Sequence, residues 1–213
     1  GIRAGLLCFS GIGVPAGLVG TVCTATAVRG KGIGSLLMRA SFEHMQKRRL
    51  ALSCLHTSPE RFDFYRRLGY RKAIIETPRL RLPLVNLNLD DDAACPESAA
   101  VRATVRSASP SDAQALHRIY DAQYVGQVSG SWSRTVPFWE RRLQHLPKLF
   151  APPQPMTFRV TGPEIPVAYV GVLVADPHTA TVGEWACLPG AEMDAFRLLC
   201  STLRQWRDRG IET

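Results

Sequence analysis

The chain has no apolar run long enough to cross a bilayer and no leader of the secretory type, so neither a membrane span nor export is expected. Its six cysteines, Cys8, Cys23, Cys54, Cys95, Cys187 and Cys200, include no Cys-x-x-Cys pair, and no histidine cluster accompanies them. That excludes the usual zinc spacings and argues against a disulfide framework, so no metal is expected. Most of these cysteines sit in apolar runs, where a thiol behaves as a small hydrophobe, and a reducing cytoplasm is the natural compartment. Acidic residues are in deficit, 18 against 26 Lys and Arg, giving a net charge of +8. Such a balance suits an anionic ligand, and nucleic acid or a membrane surface would fit too. The basic residues are scattered along helical patterns such as 39–49 and 197–209, however, with no basic block interleaved by aromatics, which argues against nucleic acid. A starting methionine is also absent. The chain begins at Gly1 inside a strand pattern, from which we expect further residues upstream.

What is present is 213 residues, 46% of them hydrophobic, enough for one large domain or two small ones. One stretch organises the reading: Val22-Cys-Thr-Ala-Thr-Ala-Val-Arg-Gly-Lys-Gly-Ile-Gly-Ser35. Residues 18–24 have a strand composition. Ile33, Leu36, Leu37 and Ala40 recur at i, i+3, i+4 and i+7, the buried face expected of a helix over 34–49. Between them, three glycines in five residues are flanked by Arg29 and Lys31. A strand–turn–helix of this kind leaves the first helix amides unpaired, and glycine admits a ligand close to the backbone. The helix dipole and both cations then favour a phosphate. The plainer alternative is a tight turn that uses glycine only for geometry. A Walker A loop does not fit, and the Gly-x-Gly-x-x-Gly fingerprint is one residue short in its last spacing.

Arg29-x-x-Gly32-x-Gly34 at a helix start resembles motif A of the GNAT superfamily of N-acetyltransferases, and Phe64-Tyr65-Arg66-Arg67-Leu68-Gly69-Tyr70 resembles the Phe-Tyr-x-x-x-Gly-Phe segment of its motif B. The resemblance implies an α/β fold with a mixed central sheet flanked by helices, and acetyl-coenzyme A as co-substrate. It implies that the backbone of Val22, Cys23 and Thr24 holds the pantetheine arm as part of the family's fourth strand. The amides of Gly30, Lys31, Gly32, Ile33, Gly34 and Ser35 would hold the pyrophosphate, with Arg29 and Lys31 adding charge. Tyr65 stands where the family's tyrosine protonates the departing thiolate. The plainer reading of Tyr65 is a core tyrosine on a helix that also packs Phe62 and Leu68.

Along the chain, strands are expected over 2–10, 18–24 and 50–55. Ser58-Pro59-Glu60 starts a helix that Gly69 ends, and 71–88 reads as two strands. Residues 90–100, acidic and rich in Ala, Pro and Ser, read as a linker. A second series follows: a strand over 101–106, a helix opening on Ser109-Pro-Ser-Asp112 with Leu116, Ile119, Tyr120 and Tyr124 buried, and a helix over 136–146. Strands over 156–161, 167–175 and 181–187 come next, then a helix over 192–209 with Met193, Phe196, Cys200, Leu203 and Trp206 on one stripe. Residues 1–89 thus resemble the second half of one GNAT copy, and 101–213 the first half of another. The second copy is degenerate, because Cys187-Leu-Pro-Gly190 carries one glycine and a proline without an amide donor. Two tandem copies, each incomplete here, resemble the enhanced-intracellular-survival type of acetyltransferase. Two distinct sheets are expected, the alternative being one shared sheet.

No general base is singled out. His56 and Glu60 follow the third strand pattern, and either is more often a solvated loop residue. In the enhanced-intracellular-survival type the base is the C-terminal carboxylate. Cys54, in an apolar strand with no adjacent base, makes a poor nucleophile. His44 reads as a helix-edge residue, and Trp132, Phe138 and Trp139 as packing residues rather than an acceptor pocket. The activity expected is acetyl transfer to the amine of a small molecule or peptide; the alternative is a non-catalytic acyl-coenzyme A sensor or scaffold. Unpaired sheet edges would favour a homo-oligomer.

Overall fold

The computed structural model describes residues 1–73, 81, 83–89, 104–144, 156–162 and 164–212. The chain divides into two compact units, Gly1–Pro78 with Ser129–Ser133, and Arg79–Val128 with Arg134–Thr213. Among the described residues each unit holds one four-stranded sheet.

In the first unit, β1 (Ile2–Phe9) and β2 (Ile12–Val19) form a hairpin in continuous antiparallel register from Ile2↔Val19 to Phe9↔Ile12. Ser10 and Gly11 make its two-residue turn, with φ of 48° and 80°, the positive pair that matches the twist of such a ribbon. The return strand therefore starts at Ile12 and ends at Val19, not over 18–24 as the composition suggests. Two apparent breakers explain the difference. Gly17 is required because a Cβ there would collide with Met45 Sδ of the covering helix. Pro15 stands opposite Leu6, where the alternating ladder makes no bond between the two strands, and the third strand begins only one residue later.

The helix α1 (Ile33–Lys47) crosses back to β3 (Leu52–Leu55), which pairs in parallel with β2. Its buried side is not the Ile33–Leu36–Leu37–Ala40 stripe. Met38 and Met45 are buried, and Phe42 packs with them against Val19 and Leu55. The sequence carries two apolar stripes on this helix, and the room left by Gly17 selects the one with Met45. A short helix, α2 (Phe62–Arg67), follows a 3-10 turn at Pro59–Arg61. Gly69 (φ 94°) ends it: Tyr70 N–H donates to Tyr65 O and Gly69 N–H to Arg66 O, the paired bonds of a Schellman closure.

The second unit opens on β4 (Arg106–Ser107), only the end of the strand expected over 101–106. Asp112 then accepts hydrogen bonds from Ser109 N and Oγ at 2.8 and 2.9 Å and from both Arg106 amino groups at 2.7 Å. This network starts α3 (Ala113–Tyr120), which widens into a π-helical turn over Asp121–Val125. The chain next supplies β5 (Ser131–Trp132) to the edge of β1 in the first unit's sheet, whose order is β3-β2-β1-β5. There Trp132 lies over Gly5, where a Cβ would stand 3.4 Å from the indole, and 5.9 Å from the Arg3 guanidinium. Two separate sheets are observed, then, but one takes a strand from far along the chain.

After α4 (Val136–Leu143), strands β6 (Thr157–Thr161), β7 (Ala168–Asp176) and β8 (Thr179–Cys187) complete the second sheet in the order β4-β6-β7-β8. Alternation along β7 sends Tyr169 to a core with Leu116, Ile119 and Trp139, and Ala168 and Val170 to an opposite core with Leu198 and Trp206 of α5 (Glu192–Asp208). On α5 the expected stripe holds at Cys200 and Trp206, which are buried, but its N-terminal half is shifted: Ala195, Leu198 and Thr202 are buried, while Met193 and Phe196 are exposed. Of the two strands expected over 71–88, residues 71–73, 81, 83, 87 and 88 carry no strand and 84–86 form a 3-10 turn; residues 74–80 and 82, and the linker at 90–100, lie outside the described residues. Cys8, Cys23, Cys54 and Cys187 are free thiols, but Cys200 is disulfide-bonded, correcting the expectation for that residue.

Within this core Arg134 meets Glu184 in a two-point ion pair of 2.6 and 2.7 Å, with the guanidinium 4.1 Å from the Tyr120 ring and 5.2 Å from that of Trp139. Burial pushes the Tyr120 hydroxyl up to about 12 and raises that of Tyr169 further.

Arg106 and the Ser109 bonds hold the Asp112 carboxyl below the usual carboxylate range. Asp112→Ala is expected to cost about 2–3 kcal/mol at neutral pH in urea unfolding. Because the folded state prefers the ionised form, this contribution is complete above a pH of about 4 and is lost as pH falls through the depressed value. The wild-type advantage over Asp112→Ala should therefore shrink on acidification.

Candidate active site

The parallel β2–β3 pair runs in register from Ala16↔Leu52 to Val19↔Leu55 and then stops. Beyond it the two chains part, and a cleft of about 370 Å³ opens between 19–22 on one side and 55–58 on the other. Arg61 and Tyr65 complete its wall. Thr21 adopts φ 55° here, a left-handed backbone uncommon for a β-branched residue. Of the expected pantetheine contacts, Val22 lines the cleft, while Cys23 is exposed and the Thr24 carbonyl accepts a 3.1 Å bond from Arg29 Nε. All three lie past the end of the strand instead of within it.

The glycine turn follows. Gly30 and Gly32 have φ of 80° and 78°, conformations that side chains disfavour, and Gly32 caps α1 with no side chain to offer. Leu36 N–H closes the first helical bond onto Gly32 O, so Ile33, Gly34 and Ser35 present first-turn amides that no turn of helix precedes. No acidic residue stands in that turn. Gly34 is less constrained: a Cβ there would make an ordinary 3.4 Å contact with the Phe64 ring of α2. At the start of α5 the corresponding position is filled from within: Glu192 Oε1 accepts the Gly190 N–H at 3.1 Å, and Asp194 is in the first turn too. One helix start carries its own anion; the other has cations, Arg29 and Lys31, before it.

Tyr65 is 8% exposed, with the rings of Phe64 and Tyr70 edge-on at 5.0 and 5.7 Å. Tyr70 is fixed in turn by a hydroxyl–hydroxyl bond to Ser53 of β3, and burial raises its phenol. The Schellman closure and this bond thus hold the ring that flanks Tyr65. His56 lines the cleft, and Glu60 is an exposed carboxylate held low by the Ser58 hydroxyl, outside the lining. Burial raises the Cys54 thiol, in keeping with a packing role. Val19, Gly20, Thr21, Leu55, Thr57, Ser58 and Arg61 line the cleft without having been candidates from the sequence. The available signal was topological: ligands bind outside the carboxyl ends of parallel strands.

Residues 7–73 match the family model for the acetyltransferase (GNAT) domain. The whole chain superposes on a probable N-acyltransferase of unknown function from Enterococcus faecalis V583, with TM-score 0.68 and 18% identity over 99% of this chain and 49% of that one. A GCN5-related N-acetyltransferase from Anabaena variabilis gives 0.68 and 16% over 99% and 50%, and one from Kribbella flavida 0.61 and 19% over 95% and 46%. This GNAT-like chain spans about half the length of those structures. No curated protein matches the sequence. Among the described residues no group of side chains could hold a metal ion, and no helix is long and apolar enough to cross a membrane.

Tyr70→Phe removes one partner of the Ser53 bond and is expected to lower the unfolding free energy by about 1 kcal/mol in urea titration; an unchanged midpoint would show that the hydroxyls are not paired.

Proposed function

We propose that the chain is an acetyl-coenzyme A-dependent N-acetyltransferase. The observation that carries this reading is the start of α1: a cation-flanked, acid-free helix terminus in the same crossover that leaves a cleft at the ends of parallel strands, although none of Arg29 to Ser35 lines that cleft. Acetyl-coenzyme A supplies an activated acyl group on a thioester. The amides of Gly30 to Ser35 hold its pyrophosphate, with Arg29 and Lys31 adding charge, and the stretch from Val22 to Thr24 guides its pantetheine arm. An acceptor amine, held in the cleft, attacks the thioester carbonyl directly; the C–N bond forms, the C–S bond breaks, and Tyr65 gives its phenolic proton to the departing sulfur. In this reading His56, which lines the cleft, takes the amine's proton.

In this reading residues 1–89 are the later half of a GNAT domain, 90–100 a linker, and 101–213 the earlier half of a second copy that the self-capped α5 disables. The tandem arrangement is that of the enhanced-intracellular-survival type. The acceptor is a small molecule or peptide, with neither nucleic acid nor membrane as partner, and association into a homo-oligomer accompanies the open sheet edges. Four free thiols favour a reducing cytoplasm, and the Cys200 disulfide speaks for the other side.

Calorimetry with acetyl-coenzyme A tests the site. Binding at micromolar to millimolar ligand is expected, and Gly32→Val, strained at φ 78° and bulky at the loop, should abolish it. Absence of binding by the wild type at millimolar ligand would sink the reading. Tyr65→Phe is expected to cut turnover about 100-fold or more with affinity kept. A protein that binds the ligand but transfers nothing, with or without that hydroxyl, would instead be a sensor or scaffold.

A further inference from the structure

The stripe that sequence periodicity assigns to the core is on the surface. Ile33, Leu36 and Leu37 are 42%, 69% and 47% exposed, on the outer side of the first two turns of α1, immediately after the glycine loop. Three large aliphatic side chains within five residues of a helix are more apolar surface than a solvated face needs. The charge around them is one-sided. Residues 1–73 contain twelve Lys and Arg and three Asp and Glu, a net charge of +9 that exceeds the +8 of the whole chain. In residues 1–59 the sole acid is Glu43. Arg29 and Lys31 precede the patch in the chain, and Arg39 follows Leu36 by one turn; all three are exposed.

We propose that this face of α1 docks an acidic carrier protein that presents its acyl group on a phosphopantetheine arm. The inference rests on the thioester reading above and goes beyond it in naming a protein as donor. A partner on the patch would carry its arm's phosphate next to the proposed phosphate loop, because the patch follows that loop directly in the chain. A row of aliphatic side chains at i, i+3 and i+4 fits the apolar side of a partner helix, and cations at its rim require acids opposite. A second copy of this chain is a poor occupant, since two-fold pairing across the patch would bring Arg29, Lys31 and Arg39 close to their own counterparts. The chemistry balances as for the free donor: the acyl carbon leaves the carrier's sulfur for the amine nitrogen, and the sulfur departs as a thiol with the proton of Tyr65.

The test compares acetyl-coenzyme A with a purified acidic acyl carrier protein loaded with acetyl, using wild type, Leu36→Asp/Leu37→Asp and Arg39→Glu. These side chains are exposed, so the fold should persist, as thermal melting will verify. Transfer from the carrier is expected, with a KM that rises at least about tenfold in both variants and with added salt, while calorimetric affinity for acetyl-coenzyme A stays within about twofold. Binding and turnover of acetyl-coenzyme A without use of the carrier would overturn the proposal and leave the acetyltransferase reading standing. An equal loss for both donors in Leu36→Asp/Leu37→Asp would overturn it in favour of a patch that seats the adenosine of coenzyme A. Failure to bind either donor would remove the thioester reading itself.

Discussion

The parallel pairing of β2 with β3 is the constraint on which the first unit depends. Two parallel neighbours cannot be joined by a hairpin; the chain must travel the length of the sheet and come back. Residues 20–51 make that journey, and the crossover has to begin with a turn and a helix start. The unsatisfied amides of α1 therefore lie near the carboxyl ends of the strands as a matter of topology, before any functional residue is chosen. The short register, four pairs from Ala16↔Leu52 to Val19↔Leu55, does the rest. Once the ladder stops, the two backbones have nothing to hold them together, and the space between them becomes the cleft.

The second unit uses similar parts to a different end. Its strands β6, β7 and β8 are joined antiparallel, and the helix after β8 starts with its own carboxylates in place. Its interior is organised around Arg134 and Glu184, a charge pair enclosed by Tyr120, Phe138 and Trp139. Burying such a pair is tolerable only with both bonds made and the ring faces turned to the cation. The result is a charge pair closed by its own two bonds, although the Trp139 indole nitrogen and the Tyr169 hydroxyl in the same core have no hydrogen-bond partner among the described residues, where the first unit leaves a helix terminus open.

Local chemistry made much of this legible. The glycine loop, the capping box at Ser109 and Asp112, the helix stop at Gly69 and the strands around residues 2–9, 52–55 and 157–187 each rest on short-range rules, and they appear within a few residues of where those rules place them. The failures were tertiary. Gly17 and Pro15 are unfavourable in a strand by composition alone, and only Met45 and the ladder's alternation account for them. Two candidate apolar stripes on α1 cannot be ranked without knowing what they would face, and the same holds for α5. A two-residue strand such as β5 has no pattern to detect. Of the candidate site, the loop and Tyr65 were readable because they lie within contiguous motifs. The cleft wall at Thr21, Thr57 and Arg61 was not, because it exists only where two strands end side by side.

The position of β5 has a consequence for the order in which the protein is made. The segment that completes the edge of β1 is encoded more than 120 residues after β1 itself. On a ribosome, β1, β2, α1 and β3 can assemble while Ser131 and Trp132 are still unsynthesised. For that interval the β1 edge offers open backbone groups beside the apolar side chains of Leu6 and Phe9, both well exposed even in the finished chain. Nascent chains on neighbouring ribosomes would present the same edge to one another, so the rate of translation between residues 60 and 130 bears on how much of the product reaches its native pairing.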